Sequence, residues 1–181
     1  MKTRIATYVT ITILFLAGTS LLAQKFEQPV LISSAGQSAD VKLVKMLAQR
    51  QGLNATTVLM AKPEDLTGFK TLVIVPGFSS KGLGAAGISQ QDELERVQSL
   101  IKAANDLKIP IVLMHIGGNA RRQGQSDSFN QLVADNSKFM LVVKQGDEDG
   151  FFTKIAGARN IPLTLVEKIA ETAEPLGNLF K

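Results

Sequence analysis

Two hydrophobic patterns alternate along the chain: short continuous apolar runs, and longer stretches in which apolar residues recur every three or four positions. Runs at 29–33 (PVLIS), 56–60 (TTVLM), 72–75 (LVIV), 109–114 (IPIVLM), 139–143 (FMLVV) and 162–166 (PLTLV) read as strands. Their lack of polar alternation predicts burial on both faces of a sheet. Val41, Val44, Leu47 and Ala48 share one face of a helix, with Ser38 expected as its N-cap, Asp40 in its first turn and Gly52 as its stop. The clearest helix opens at Ser89, where Leu94, Val97, Leu100, Ile101, Ala104 and Leu107 form one stripe and Ser89 and Asp92 have the spacing of a capping box. Shorter helices are expected after a cap at Ser126 or Asp127, through Phe129, Leu132 and Val133, and around Phe151, Phe152 and Ile155. Residues 63–66 fit a single turn, and the tail is expected to be helical after Pro175. Strands alternating with helices predict an α/β domain, a three-layer doubly wound parallel sheet of five to six strands. Ligands in such sheets bind beyond the carboxyl ends of the strands, so the loops at 33–38, 77–87, 115–125 and 145–150 are expected to meet at one edge.

The first residues depart from this pattern. Lys2 and Arg4 precede an apolar core at 5–22 that ends in the small residue Ala23, which is the layout of an export signal. Residues 1–23 are therefore expected to be removed, leaving 24–181 as one domain in the periplasm or secreted, without membrane association after cleavage. The alternative is a retained anchor helix, because the core approaches the length of a membrane span. Thr7, Tyr8, Thr10, Thr12 and Thr19 dilute that reading.

Composition removes several function classes. The chain has 20 basic and 16 acidic groups, and with Lys2 and Arg4 in the leader 18 basic ones remain, an excess of two that predicts no nucleic-acid partner. Cysteine is absent, so there is no disulfide framework, thiolate nucleophile or lipid-anchor cysteine. There is no Trp, and the one Tyr lies in the leader, which leaves Phe as the aromatic platform of the mature chain.

The motifs concentrate in the loops. Gly82-Leu83-Gly84-Ala85-Ala86-Gly87 matches G-x-G-x-x-G, but it follows the third strand instead of the first, and the next strand ends in Met114-His115 with no carboxylate for a ribose. It reads as a flexible glycine loop. Lys81-Gly82 is not a Walker sequence. His115, the only histidine, ends a central strand, where it is either a general base or a ring that hydrogen-bonds its own loop. Arg121 and Arg122, with Lys81, are either a clamp for carboxylate or phosphate or a solvated loop. Asp147-Glu148-Asp149-Gly150 lacks the spacing of a calcium loop and is expected to cap the helix after it. Ligand contacts are expected from Ser34, Gly36, Gln37, Ser38, Gly77, Ser79, Ser80, Lys81, Gly82, Gly117, Gly118, Arg121 and Arg122, with His115 as the candidate catalytic group and no metal site.

Three resemblances follow from these residues. The loop Ser33-Ser34-Ala35-Gly36-Gln37-Ser38 resembles the phosphate loop of flavodoxins, with Ser33, Gly36, Gln37 and Ser38 corresponding and Ala35 replacing a hydroxyl donor. This implies a flavodoxin-like architecture more than a flavin, for which Phe78 alone could flank the ring, and the cofactor stays unknown. The strand ending at His115 is similar to the one that carries the nucleophilic cysteine in class I glutamine amidotransferase-like domains, and here no cysteine exists. The phrases PVLISSAGQSADV, GFSSKGLGAAG and HIGGNARR followed by SD make nearly the whole mature chain similar to a family of exported bacterial α/β proteins classed as a domain of unknown function. That resemblance implies no established activity and points to the same three loops. The expected function is binding of a small anionic molecule at the carboxyl edge of the sheet. The alternatives are a hydrolase-type enzyme with His115 as base and a loop Ser as nucleophile, or an interaction domain with a vestigial crevice. Ligand identity and oligomeric state are open.

Overall fold

Residues 25–180 are described in the computed structural model, and the leader expected at 1–23 lies outside them. The strands are β1 (Val30–Ala35), β2 (Ala55–Thr57), β3 (Thr71–Pro76), β4 (Ile111–His115), β5 (Phe139–Val143) and β6 (Leu163–Val166). The helices are α1 (Asp40–Arg50), α2 (Ser80–Ala86), α3 (Gln90–Asp106), α4 (Gly124–Ala134), α5 (Phe151–Arg159) and α6 (Ala173–Asn178). The strands form one sheet in the order β2-β1-β3-β4-β5-β6, parallel throughout. The expected doubly wound α/β sheet is thus present, with the chain reversing its direction of travel between β1 and β3.

Alternate residues of each strand face opposite layers, and this period of two divides the core. Leu31, Leu72, Ile74, Ile111, Leu113, Met140 and Val142 pack against α3, α4 and α5 through Val97, Leu100, Phe129, Val133 and Phe152. On the other face Val30, Ile32, Val73, Val75, Val112, Met114 and Leu141 pack against α1 and α6 through Val41, Val44, Leu47 and Leu176. Apolar burial at roughly 25 cal/mol per Å² makes both layers necessary, because every central strand is covered on two sides. No helix of the described residues is long and apolar enough to cross a membrane.

Several local expectations are corrected. The stretch after β3 is not a flexible loop, since residues 80–86 form α2, capped where the Ser79 hydroxyl accepts the Gly82 amide at 3.0 Å and closed by Gly87 at φ 68°. Ser38 lies just before the α1 cap residue, Ala39, and its hydroxyl accepts the Asp40 amide at 3.2 Å. A 3-10 turn at Gly118–Arg121 interrupts the expected polar loop, and α4 opens after Gln123, so Ser126 and Asp127 stand inside its first turn. Their oxygens are engaged elsewhere: Ser126 accepts the Phe78 amide at 3.1 Å and Asp127 pairs with Arg122. The expected strand at 56–60 is shorter and shifted, Ala55–Thr57. Pro175 sits within the first turn of α6 instead of ahead of it, a position that needs no amide donor. Leu107, expected on the apolar stripe, caps the end of α3 and is 59% exposed, while Glu93 within α3 is fully buried.

Candidate functional site

The four loops expected at the carboxyl edge do meet there, and they meet by packing against one another. Gln37 forms a bridge to Phe78, the Ser79 amide donates to Gly36 O at 2.8 Å, and the Gly77 amide donates to Ala35 O at 2.8 Å. The glycines make this approach possible. A Cβ on Gly36 would lie 2.6 Å from Gly77 O, and one on Gly82 would lie 2.2 Å from Gln37 O. The close backbone approach that the sequence suggests for a ligand is used between the loops themselves.

A carboxylate from the chain occupies the β1 loop. Glu93 Oε1 accepts the Gly36 amide and Gln37 Nε2, each at 2.9 Å. Arg96 closes the arrangement with Nε on Glu93 Oε2 at 2.8 Å, and its remaining donors reach Ala61 O at 2.6 Å and Ser34 O at 2.7 Å. Neither residue was read from the sequence as part of the site. The signal was present, because Glu93, Val97, Leu100 and Ala104 lie on one helical face and Arg96 is three residues beyond Glu93.

His115 is fully buried. Its Nε2 is 3.2 Å from Gly118 O, its ring centroid is 4.9 Å from that of Phe152, and Gly146 packs against the ring edge. Nδ1 has no hydrogen-bond partner, nor does the buried Oδ1 of Asn130. Burial drives the ring's pKa down to about 4; the hydrogen bond to Gly118 opposes this, Arg122 adds to it, and Asp40 and Asn130 favour the charged form. The ring is thus buried and hydrogen-bonded to the carbonyl of its own loop.

The two arginines part company. Arg121 lies over Gly77 and Gly117, with Nε 3.4 Å from Asp40 Oδ2 and Nη1 3.2 Å from Phe78 O. Arg122 turns the other way. Its guanidinium pairs with Asp127 at 2.8 Å and Asp149 at 2.9 Å, also donates to Gly146 O, and lies 4.3 Å from the centroid of Phe151. Burial works against the charge on Arg122, but the hydrogen bonds it donates to Asp149 and Asp127 outweigh this and raise its pKa, while Asp149 is held down to about 2 by Arg122. The fork geometry that matches a carboxylate is therefore filled by the chain's own acids. The acidic turn does cap α5, as expected: Asp147 Oδ1 accepts the amides of Phe152 at 2.6 Å and Thr153 at 3.1 Å, and Asp149 accepts that of Phe151 at 3.1 Å.

What stays open at this edge is a cleft of about 540 Å³ between the starts of α1 and α2 and the end of β2. It is lined by Gln37, Ser38, Lys42, Ser79, Lys81 and Gly82, with Leu59, Met60, Ala85 and Ala86 as its apolar part. Five of the expected ligand residues thus share one opening, Ser80 is exposed on the adjacent turn, and Ser34 is fully buried with its hydroxyl unpartnered. Gly77, Gly117 and Gly118 lie behind it, toward Arg121 and Gln145. Lys42 was missed in the sequence, although it stands one helical turn after Ser38. No carboxylate lines the cleft, and among the described residues neither Lys42 nor Lys81 has an ion-pair partner. A smaller space of about 320 Å³ beside Arg122 carries Glu148 and Asp149 and is the poorer place for an anion. No group of three metal-ligating side chains occurs among the described residues.

Similarity to solved structures is partial. The chain aligns with a GDSL-like lipase from Bacteroides thetaiotaomicron at 13% identity, covering 75% of this chain and 66% of the lipase, with a TM-score of 0.36. It aligns with a Schiff-base-forming fructose-1,6-bisphosphate aldolase at 12% identity, over 79% of this chain and 74% of the aldolase, at 0.37. With AlinE4, an SGNH-hydrolase family esterase, the identity is 14%, the coverage 87% and 84%, and the score 0.30. A sequence search of curated proteins finds no match. The match that spans the domain is to a family: residues 27–180 fit the one described as Domain of unknown function (DUF6305), and the chain belongs to it.

Proposed function

We propose that the protein is an exported binding domain that takes a small anionic molecule in the cleft between α1 and α2. The observation that carries this reading is the pair Lys42 and Lys81 on the wall of a cleft of about 540 Å³ with no carboxylate in its lining. Two ammonium groups without acidic partners favour a negative ligand, and the half-buried hydroxyl of Ser79 adds a polar contact beside them. The place also agrees with the rule for open parallel sheets, because it lies beside the neighbouring strands β1 and β3, from which the chain continues in opposite directions across the sheet. Arg121 and Arg122 are left out of the proposed contact set, since both are held by acids of the chain.

The reading is tested by thermal melting of the wild type and of a Lys42→Ala, Lys81→Ala double variant with a panel of organic phosphates and carboxylates. A wild type stabilised in a concentration-dependent, salt-sensitive way, with affinity falling about tenfold in the variant, supports it. No stabilisation by any anion, or an equal response from the variant, overturns it. Export is tested by intact mass: protein recovered from outside the cytoplasm is expected to begin at Gln24, and a full-length chain held in the membrane overturns cleavage.

A further inference from the structure

The sheet has a second opening, at its amino edge. A cleft of about 630 Å³ lies where the chain leads into β1, β3 and β4, and its wall includes Lys25, Lys70 and Lys108 together with Phe69, Leu107 and Pro110. The register explains why these leads meet. Leu72 pairs with Ile111 and donates its amide to Pro110 O at 3.0 Å, so Lys70 and Lys108 precede neighbouring strands, while Lys70 N donates to Pro29 O at 2.9 Å on the other side. Lys25 is engaged, its ammonium donating to Asn178 O. Lys70 and Lys108 are exposed, and among the described residues neither has an ion pair or a side-chain hydrogen bond. Glu27 is the one acid on the wall, and it pairs with none of the three.

Two further features single out this wall. Leu107 is 59% exposed, the most exposed of the large apolar residues among those described, and it stands directly before Lys108. Lys108 has φ 58° just past the end of α3, a left-handed position where glycine is the usual residue and a side chain is strained. A strained lysine beside an exposed leucine, on a cleft that already holds two other cations, gives the wall a charged part and an apolar part.

We propose that the amino-edge cleft binds an organic carboxylate with an apolar body, its charge met by Lys70 and Lys108 and its chain laid against Leu107, Phe69 and Pro110. This site is separate from the one proposed at the carboxyl edge, and neither depends on the other. A cation near a helix C-terminus is also favourable in itself, so the experiment has to separate that role from ligand binding.

Octanoate is the probe, with acetate and octanol as controls, in the Lys42→Ala, Lys81→Ala background so that the other cleft contributes nothing. Backbone amide shifts are followed during titration, and melting temperature is measured without ligand. Octanoate is expected to shift amides at 66–70 and 107–109, with acetate and octanol each at least about tenfold weaker. Lys70→Ala and Lys108→Gly are each expected to weaken octanoate by about fivefold or more. Because glycine relieves the left-handed strain, Lys108→Gly should leave the melting temperature unchanged or raise it by up to about 4 °C. Binding by the Lys70→Ala, Lys108→Gly protein equal to that of its parent overturns the proposal. So does acetate or octanol matching octanoate, or a Lys108→Gly protein that melts lower, which would assign Lys108 to the helix end.

Discussion

Glu93 Oε1 accepts the amide of Gly36 at 2.9 Å, which places a carboxylate of α3 inside the loop that follows the first strand. The loop has the residues of an anion cradle, and the anion is supplied by the chain. Because Arg96 is nearly buried and its guanidinium is satisfied by Glu93, Ala61 O and Ser34 O, removing Glu93 leaves a charge without its partner.

Glu93→Ala is therefore expected to destabilise the domain by about 3–5 kcal/mol, measured by urea unfolding. Replacing both partners by apolar residues, as in Glu93→Met with Arg96→Met, should cost less than the single change, because no buried charge is then orphaned. A single variant as stable as the wild type would show that this pair does not hold the β1 loop to α3.

Two glycines of one short helix should respond oppositely to alanine. A Cβ at Gly82 would lie 2.2 Å from Gln37 O, whereas one at Gly84 meets nothing within 4 Å. Gly82→Ala is expected to destabilise by about 1–3 kcal/mol through forced separation of the loops. Gly84→Ala should stabilise by about 0.5–1 kcal/mol, as alanine does within a helix. Equal effects at the two positions would contradict the contact between α2 and Gln37.

The pH dependence of stability should carry the signature of His115. Its folded pKa is depressed to about 4 chiefly by burial, against 6.5 for the free ring. Between these values the unfolded chain binds a proton that the folded chain does not, so stability is lost as pH falls from about 6.5 toward 4. One proton corresponds to about 1.4 kcal/mol per pH unit once the unfolded ring is charged, and to a total of roughly 3 kcal/mol. Urea unfolding from pH 7 to 5 should show this slope in the wild type and a shallower one in His115→Asn. Parallel slopes would mean that the ring binds its proton equally in the folded and unfolded chains, so that burial does not lower its pKa.

The strand order, the parallel sheet, its layers of helices on both faces and, apart from α2, the helices themselves were legible in the sequence, because they rest on local periodicity. Continuous runs such as 72–75 can be buried on both faces only between two layers of helices, and Val97, Leu100 and Ala104 repeat at helical spacing. The reciprocal capping box of Ser89 and Asp92 and the acidic cap of α5 were equally readable, since partners three to six residues apart are already close in the chain. The meeting of the loops at the carboxyl edge followed from the parallel topology alone.

Which groups remain free at that edge was decided by tertiary structure. Glycine and serine in a loop are compatible both with a ligand cradle and with a second loop of the same chain, and only the approach of Gly82 to Gln37 O shows the latter. Arginines at 121 and 122 have identical sequence credentials, yet Arg122 meets Asp149 from 27 residues away and is consumed by it. Glu93 and Arg96 reach the β1 loop across 57 and 62 residues, distances over which local pattern carries no information about partners. The sequence by itself determined the frame, through interactions between near neighbours; the site was set by pairings between segments that only folding brings together.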